Sequence, residues 1–248
     1  MSDNPGRVDI HYVLDKLYYS HDNPRDKGTG FERFIKSFLV TEPLYAGRFE
    51  QVWMWSDWPE RGTRPDHGID LVARERDTGD LVAVQCKFFS PEAALPKGEI
   101  DSFLAESGKH PFRSRLLVTT AGRLNSAAEA AIEDQQIPVN VIGLEDLVGS
   151  TLDWAQFDPS TPEVLATLGR KRLRPHQRTA IDAVRAGLVE HDRGQLIMAC
   201  GTGKTFTSLR LAEEVVPPGG RVLFLVPSIA LLNQSLKEWS TEATDPLR

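Results

Sequence analysis

The chain has 248 residues, of which 40% are hydrophobic and 26% charged, and a formal net charge of −6. This is the composition of an ordinary globular chain with room for two modest domains, and it excludes collagen-like, low-complexity and disulfide-framed classes. The acid excess provides no general basic field for nucleic acid, so any such contact must come from local clusters.

No run of 18 or more apolar residues occurs, and the polar stretch 1–7 lacks the apolar core of a signal peptide. The two cysteines, Cys86 and Cys200, lie far apart in hydrophobic surroundings. Both read as buried thiols of a reducing compartment, with no metal-ligand spacing. A cytoplasmic protein without a membrane partner is expected.

Ile10, Val13, Leu14 and Leu17 recur at helical spacing, and Phe31, Phe34, Ile35 and Phe38 repeat it over 30–38. Aromatic-rich 49–58, then 69–73 and 81–89, read as strands, the last two joined by a turn through 77–80. Helices are predicted over 100–107 and 126–135, and strands over 115–120 and 139–142. That order makes an α/β domain over 1–148 with a helical leader, 1–27. From 149 to 168 periodicity fades into Ser, Thr, Asp and Pro, which predicts a linker. A second domain is expected from Gly169 to the end of the chain.

In the first domain Asp70 opens one predicted strand, and Gln85 and Lys87 stand two apart on the next. Alternation puts Gln85 and Lys87 on one face, with Val84 and Cys86 on the other, and antiparallel pairing brings the first face beside Asp70. Asp70 can bind a divalent cation, Gln85 can add a neutral oxygen ligand, and Lys87 can hold or polarise attacking water. Glu32, on the 30–38 helix, can project to the same metal. On residue chemistry alone, charges bracketing a hairpin also suit a solvated edge.

Glu32 within 31–34, the Gly68-Ile69-Asp70 run and the Gln85-Cys86-Lys87 run together resemble the PD-(D/E)XK nuclease superfamily, and within it the Mrr-like branch, over about residues 28–148. The resemblance implies a restriction-endonuclease-like α/β/α fold that cleaves double-stranded DNA with Mg²⁺. It makes Asp70, Gln85, Lys87 and Glu32 catalytic, with Asp70 and Gln85 on the metal. Neutral Gln85 and the few carboxylates favour a single ion. Asp66 and His67 are placed at the rim. Trp53, Trp55 and Trp58 read as core and strand surface, with Trp58 open to base stacking as well. The cluster 170–174 and Arg113 and Arg115 are candidates for DNA phosphates, the two arginines on condition that they flank the Asp70 cleft.

At 196–205 a short apolar run breaks into a glycine-rich turn ending in Lys204 and Thr205. Residues 196–199 predict a buried strand, Gly201 and Gly203 let the backbone curl with its N–H groups inward, and Phe206 onward reads as a helix. This is the pattern of a phosphate-binding loop. Gly201, Thr202 and Gly203 would cradle the phosphates of ATP, Lys204 would reach the terminal phosphates, and Thr205 would ligate the nucleotide's Mg²⁺.

Met198 occupies the usual first-glycine position, and the relaxed loop resembles those of superfamily 2 helicases and translocases. Gln177, after Pro175, looks like the glutamine that grips an adenine edge in that family. The stretch 222–228 looks like the strand whose end, Ser228, touches the nucleic-acid backbone. Their plain readings are a solvated helix start and a core strand. No Asp-Glu-x-His or equivalent acidic motif follows within the 43 residues after Thr205. The segment 169–248 is therefore expected to be the front of a P-loop, RecA-like parallel-sheet domain that turns over little ATP by itself.

Nuclease followed by motor resembles the N-terminal portion of Type ISP restriction-modification enzymes, in which nuclease, translocase, methyltransferase and target recognition share one polypeptide. The resemblance implies a DNA endonuclease coupled to an ATP-dependent translocase, with the remaining motor, methyltransferase and recognition parts expected in the parent protein. Two alternatives stand beside it: a DNA- and nucleotide-binding module without catalysis, and a non-functional fragment of a truncated helicase gene with exposed apolar surface.

Overall fold

The structure, a computed structural model, describes residues 8–20, 22–64, 68–133, 135–217 and 219–245. The chain divides into two compact units, Met1–Leu168 and Gly169–Arg248.

In the first unit, α1 (Ile10–Tyr19) starts behind Asp9, whose carboxylate accepts the His11 N–H, and buries Ile10, Val13, Leu14 and Leu17. α2 (Pro24–Thr41) begins well before its apolar stripe, because Asn23 caps it through the Asp26 N–H and Pro24 presets the first-turn φ. Pro43 ends α2 and opens the short α3 (Pro43–Arg48). The strands are β1 (Phe49–Met54), β2 (Leu71–Glu75), β3 (Leu81–Lys87), β4 (Ala94–Leu95), β5 (Phe112–Thr119), β6 (Arg123–Leu124) and β7 (Val139–Ile142). β1 is shorter than expected because the chain tightens into a 3₁₀ turn at Trp55–Asp57.

The main sheet runs β1-β2-β3-β5-β7, antiparallel across the first three strands and parallel from β3 onward. β4 and β6 form a separate parallel pair. On one face lie α1, α2 and α6 (Leu144–Val148), over a core where Phe31, Phe34 and Phe38 meet Leu71, Val82, Val84, Leu116 and Val118. The other face carries α4 (Asp101–Ser107), with Phe103 against Val72 and Ala83, and α5 (Ser126–Ile132), with Ala128 against Leu117. The unit is the three-layer α/β/α sandwich that the strand and helix order implies.

Residues 149–168 are part of this unit and not a linker. Leu152, Trp154 and Phe157 are buried in the α2 core, and the rings of Trp154 and Phe157 lie 5.8 and 5.6 Å from that of Phe34. The Glu42 carboxylate, buried at the end of α2, accepts from Ser150 Oγ at 2.7 Å, Thr151 N–H at 3.0 Å and Thr151 Oγ1 at 3.1 Å. Leu152 and Thr167 form an isolated antiparallel bridge. A few large apolar side chains can dock irregular backbone without periodicity, which is why composition alone made the segment look like a connection.

The second unit contains α7 (Pro175–Glu190), α8 (Lys204–Val215) and α9 (Ile229–Glu242). Trp239 packs with Leu209 and Phe224 and donates its indole N–H to the Thr205 carbonyl at 3.0 Å. The strands expected at 196–199 and in 222–228 form no ladder among the described residues, and Ile197, Leu223 and Leu225 are exposed. A strand exists only through a neighbour. These two runs do not pair, so the described residues of this unit form no parallel sheet. Cys200, expected to be buried, is exposed for the same reason. No helix among the described residues is long and apolar enough to cross a membrane.

Candidate active site and phosphate loop

The β2–β3 hairpin turns at Gly79, whose φ of +73° suits a residue without a side chain. At its open end the pairing slips. Val84 is the register partner of Leu71, yet it also accepts the Asp70 N–H at 2.9 Å. Ile69 and Leu71, which strict alternation would put on one face, belong to opposite core clusters. This bulge-like step turns the Asp70 carboxylate onto β3. There its Oδ2 accepts the Cys86 N–H at 2.6 Å, at the backbone between Gln85 and Lys87.

Along β3, Val82, Val84 and Cys86 pack toward α2, whereas Leu81 and Ala83 pack toward α4. Alternation therefore gives Gln85 and Lys87 to the α4 face. Gln85 is 2% exposed, and its Oε1 has no hydrogen-bond partner among the described residues. Such an orphan acceptor costs roughly 1–3 kcal/mol, which a cation or an ordered water at that position would recover. Lys87 Nζ pairs with Glu99 Oε2 at 3.0 Å. Glu99 closes the 3₁₀ turn Lys97–Glu99 just ahead of α4. Sequence reasoning missed it, because no motif marks an acid 12 residues beyond Lys87.

Glu32 projects from α2, in the layer on the other side of β3. The two sides meet electrostatically at the partly buried Cys86 thiol. Burial pushes its pKa well up, the charges of Asp70 and then Glu32 push it further, and Lys87 opposes them. The chain leaving Lys87 is held firmly. The Thr120 hydroxyl accepts the Phe89 N–H at 2.8 Å and donates to the Phe89 carbonyl at 2.6 Å, while the Thr120 N–H donates to the Lys87 carbonyl at 3.2 Å. Phe88 stacks on Phe31 at 4.8 Å.

Among the described residues no group of three or more His, Cys, Asp or Glu side chains is arranged to hold a metal. Asp70 with Gln85 is instead a carboxylate–amide oxygen pair. That set fits Mg²⁺, which binds through one or two protein oxygens and keeps several waters.

Two expectations, the phosphate contacts of Arg115 and Arg113, are corrected, and the core reading of Trp58 holds. Arg115 is 3% exposed and donates to Gln135 Oε1 at 2.9 Å, the Ile137 carbonyl at 3.2 Å and the Leu104 carbonyl at 3.1 Å, so it is a structural brace. Its desolvation lowers its pKa. Arg113 is exposed, but the β3–β5 register sets Phe112 against Leu81 and Thr119 against Lys87. At about 3.3 Å per residue both arginines sit roughly 13–20 Å along the strand from the Lys87 end and do not flank the Asp70 cleft. Trp58 is 2% exposed, packs against Trp55 and Phe112, and belongs to the core with no face open to a base. Asp66 and His67 lie outside the described residues.

In the second unit Gly201 and Gly203 take φ of +76° and +82°, and α8 opens at Lys204 with Gly203 as its N-cap. A helix N-terminus behind a glycine turn is built for an anion. Lys204 Nζ rests 3.3 and 3.4 Å from the carbonyls of Met198 and Ala199. Gln177 is 4% exposed. Its Nε2 donates to the Thr202 carbonyl and its Oε1 accepts the Arg174 N–H, both at 2.9 Å. The amide thus ties the loop to the start of α7 instead of standing open to an adenine edge, because a buried amide satisfies itself on the nearest backbone. Ser228 caps α9 by accepting the Leu231 N–H at 3.3 Å.

The restriction endonuclease family profile matches residues 40–164, and that of the Type III restriction enzyme, res subunit, matches residues 170–246. Among solved structures the chain is similar to the ATP-dependent Type ISP restriction-modification enzyme LlaBIII bound to DNA, at 40% identity and a TM-score of 0.82. That match covers 93% of this chain and 15% of LlaBIII. A second similarity, to the MspJI restriction endonuclease in complex with a 27-mer oligonucleotide, has 21% identity and a TM-score of 0.40 over 55% of this chain and 29% of that one. With half of its length matched by the family profile and a 40% identical Type ISP relative aligned along 93% of it, the chain belongs to the restriction endonuclease family, joined to a helicase-like res-subunit segment.

Proposed function

We propose that the first unit is a Mg²⁺-dependent endonuclease acting on double-stranded DNA in a cytoplasmic restriction-modification system. The second unit is then the ATP-binding entry of a helicase or translocase coupled to it in the parent protein. The observation that carries the nuclease reading is the Asp70 carboxylate on the Cys86 N–H, flanked by the buried Gln85 Oε1, which has no hydrogen-bond partner among the described residues, and by the Lys87 ammonium. The similarity to LlaBIII, a DNA-bound enzyme, supports the choice of substrate.

Asp70 and Gln85 would hold the Mg²⁺, with Glu32 the further carboxylate available to it. A divalent cation there makes bound water acidic and draws charge from phosphate oxygens. Lys87 offers three donors on a compact charge and can hold attacking water or a phosphate oxygen in place. Hydrolysis forms one bond from the water oxygen to phosphorus and breaks one phosphorus–ester oxygen bond, the leaving oxygen taking a proton. In the second unit Gly201, Thr202 and Gly203 would surround the ATP phosphates, Lys204 would meet the terminal ones and Thr205 the nucleotide's Mg²⁺. Gln177 would support this loop, and Ser228 would contact the DNA backbone.

Nicking of supercoiled plasmid by the chain with Mg²⁺ tests the nuclease. Wild type should convert plasmid to nicked circles, and Asp70→Ala or Lys87→Ala should not. Equal background from all three would refute the assignment.

A further inference from the structure

We infer that Glu99 is the positioning residue for Lys87, holding its ammonium on the Gln85 face of β3 before substrate binds. The inference rests on the nuclease reading above. Lys87 and Glu99 form an ion pair of 3.0 Å with side chains 21% and 43% exposed. The pair is therefore screened less than a fully solvated one. The Asp70 Oδ2 is engaged by the Cys86 N–H, and Gln85 is neutral. Glu99 supplies this face with the carboxylate that Gln85 does not.

The backbone beneath Glu99 is rigid. Its N–H donates to the Pro96 carbonyl at 3.1 Å, the next residue's N–H donates to the Lys97 carbonyl at 2.9 Å, and Ile100 and Phe103 are fully buried. Gly68, at φ +82°, packs on both parts of the site at once. A β-carbon there would lie 3.0 Å from the Phe103 backbone nitrogen and 3.3 Å from Gln85 Nε2. One close approach thus ties the loop before Asp70 to Gln85 and to the first turn of α4, which directly follows the Glu99 turn. Against this fixed anchor, the ion pair removes the rotamer freedom of the long Lys87 stem.

The test is nicking kinetics of the purified chain with Mg²⁺. Glu99→Ala should lower kcat about tenfold, the cost of releasing about 1.4 kcal/mol of side-chain freedom. KM for DNA and half-saturation by Mg²⁺ should change less than twofold. Glu99→Gln keeps an acceptor oxygen in the same place for the Lys87 ammonium and should retain at least about a third of wild-type kcat, while the fall confined to kcat in Glu99→Ala, with KM and Mg²⁺ half-saturation held, is what a general loss of packing would not give. Ca²⁺ titration by calorimetry, which needs no turnover, should give the same affinity for wild type and Glu99→Ala. A tenfold weaker Ca²⁺ affinity in Glu99→Ala would make Glu99 a metal ligand and overturn the positioning role. So would a Glu99→Gln variant as slow as Glu99→Ala. If wild type cuts, Asp70→Ala does not and Glu99→Ala cuts at the wild-type rate, the inference alone falls. If wild type cuts no better than Asp70→Ala, the nuclease reading falls with it.

Discussion

Replacing Glu42 by alanine tests whether residues 149–168 are an integral part of the nuclease unit. Glu42 is 6% exposed, and its carboxylate takes three hydrogen bonds, from Ser150 Oγ, Thr151 N–H and Thr151 Oγ1. Bonds to a charged acceptor contribute about 1.5–3 kcal/mol each. The two hydroxyls can rotate toward other partners, but the Thr151 N–H is fixed and keeps its desolvation cost. A loss of about 3 kcal/mol follows. At roughly 2–4 °C per kcal/mol for a unit of this size, the melting transition of Met1–Leu168 should fall by about 6–12 °C. Glu42→Gln keeps one acceptor oxygen without the charge and should lose about half as much. Differential scanning calorimetry reads the shift, and limited proteolysis should show new cleavage within 149–168. A Glu42→Ala transition within about 1 °C of wild type, with that segment still uncut, would refute the reasoning.

Phe34→Ala removes a fully buried ring that touches Phe31, Trp154 and Phe157, and should cost about 3–5 kcal/mol in urea unfolding; a cost below about 1 kcal/mol would show that the aromatic cluster is loosely packed. Gly203→Ala forces an alanine into φ +82° and brings its β-carbon 2.5 Å from Gln177 Nε2. ATP-analogue affinity measured by calorimetry should then drop at least about tenfold, and unchanged affinity would argue against the phosphate-loop assignment. Cys86 has a raised pKa, so at neutral pH it stays in the unreactive protonated form and gains thiolate only above the ordinary thiol range. A thiol reagent at neutral pH should therefore give one fast phase, that of exposed Cys200; a fast phase persisting in Cys200→Ser would contradict this.

Helical spacing revealed α1 and α2 because their stripes, from Ile10 to Leu17 and from Phe31 to Phe38, face a single core. The Gln85 and Lys87 pair was legible because alternation needs only β3 itself. Other features depend on partners that local sequence does not name. Arg115 read as surface charge because nothing local shows that β5 starts at Phe112 and carries its guanidinium among the carbonyls of Leu104 and Ile137. Glu99 could be found only by knowing that the start of α4 returns beside β3. The apolar runs 196–199 and 222–227 have strand-like composition, but strand formation is a property of pairs, and among the described residues these runs have no pair.

The topology explains why the proposed chemistry gathers at one edge of the sheet. β3 is antiparallel to β2 and parallel to β5, so the start of β2, the end of β3 and the end of β5 all lie on the same side. Asp70 precedes the first of these ends, Lys87 closes the second, and Thr120 follows the third, where its hydroxyl fixes the chain beyond Lys87. Carboxyl ends of parallel strands are where open α/β sheets leave a crevice. Here the antiparallel hairpin adds a carboxylate to that crevice, which a purely parallel neighbour would have carried to the far end. The slip at Asp70 then decides where the carboxylate points. A strand in strict register would continue the alternation of Leu71 and Val72, whereas two residues facing Val84 turn Asp70 onto the Cys86 N–H. The Asp70 N–H on the Val84 carbonyl, just beyond the last paired residue of β2, thus fixes the backbone from which the carboxylate reaches the central strand between Gln85 and Lys87.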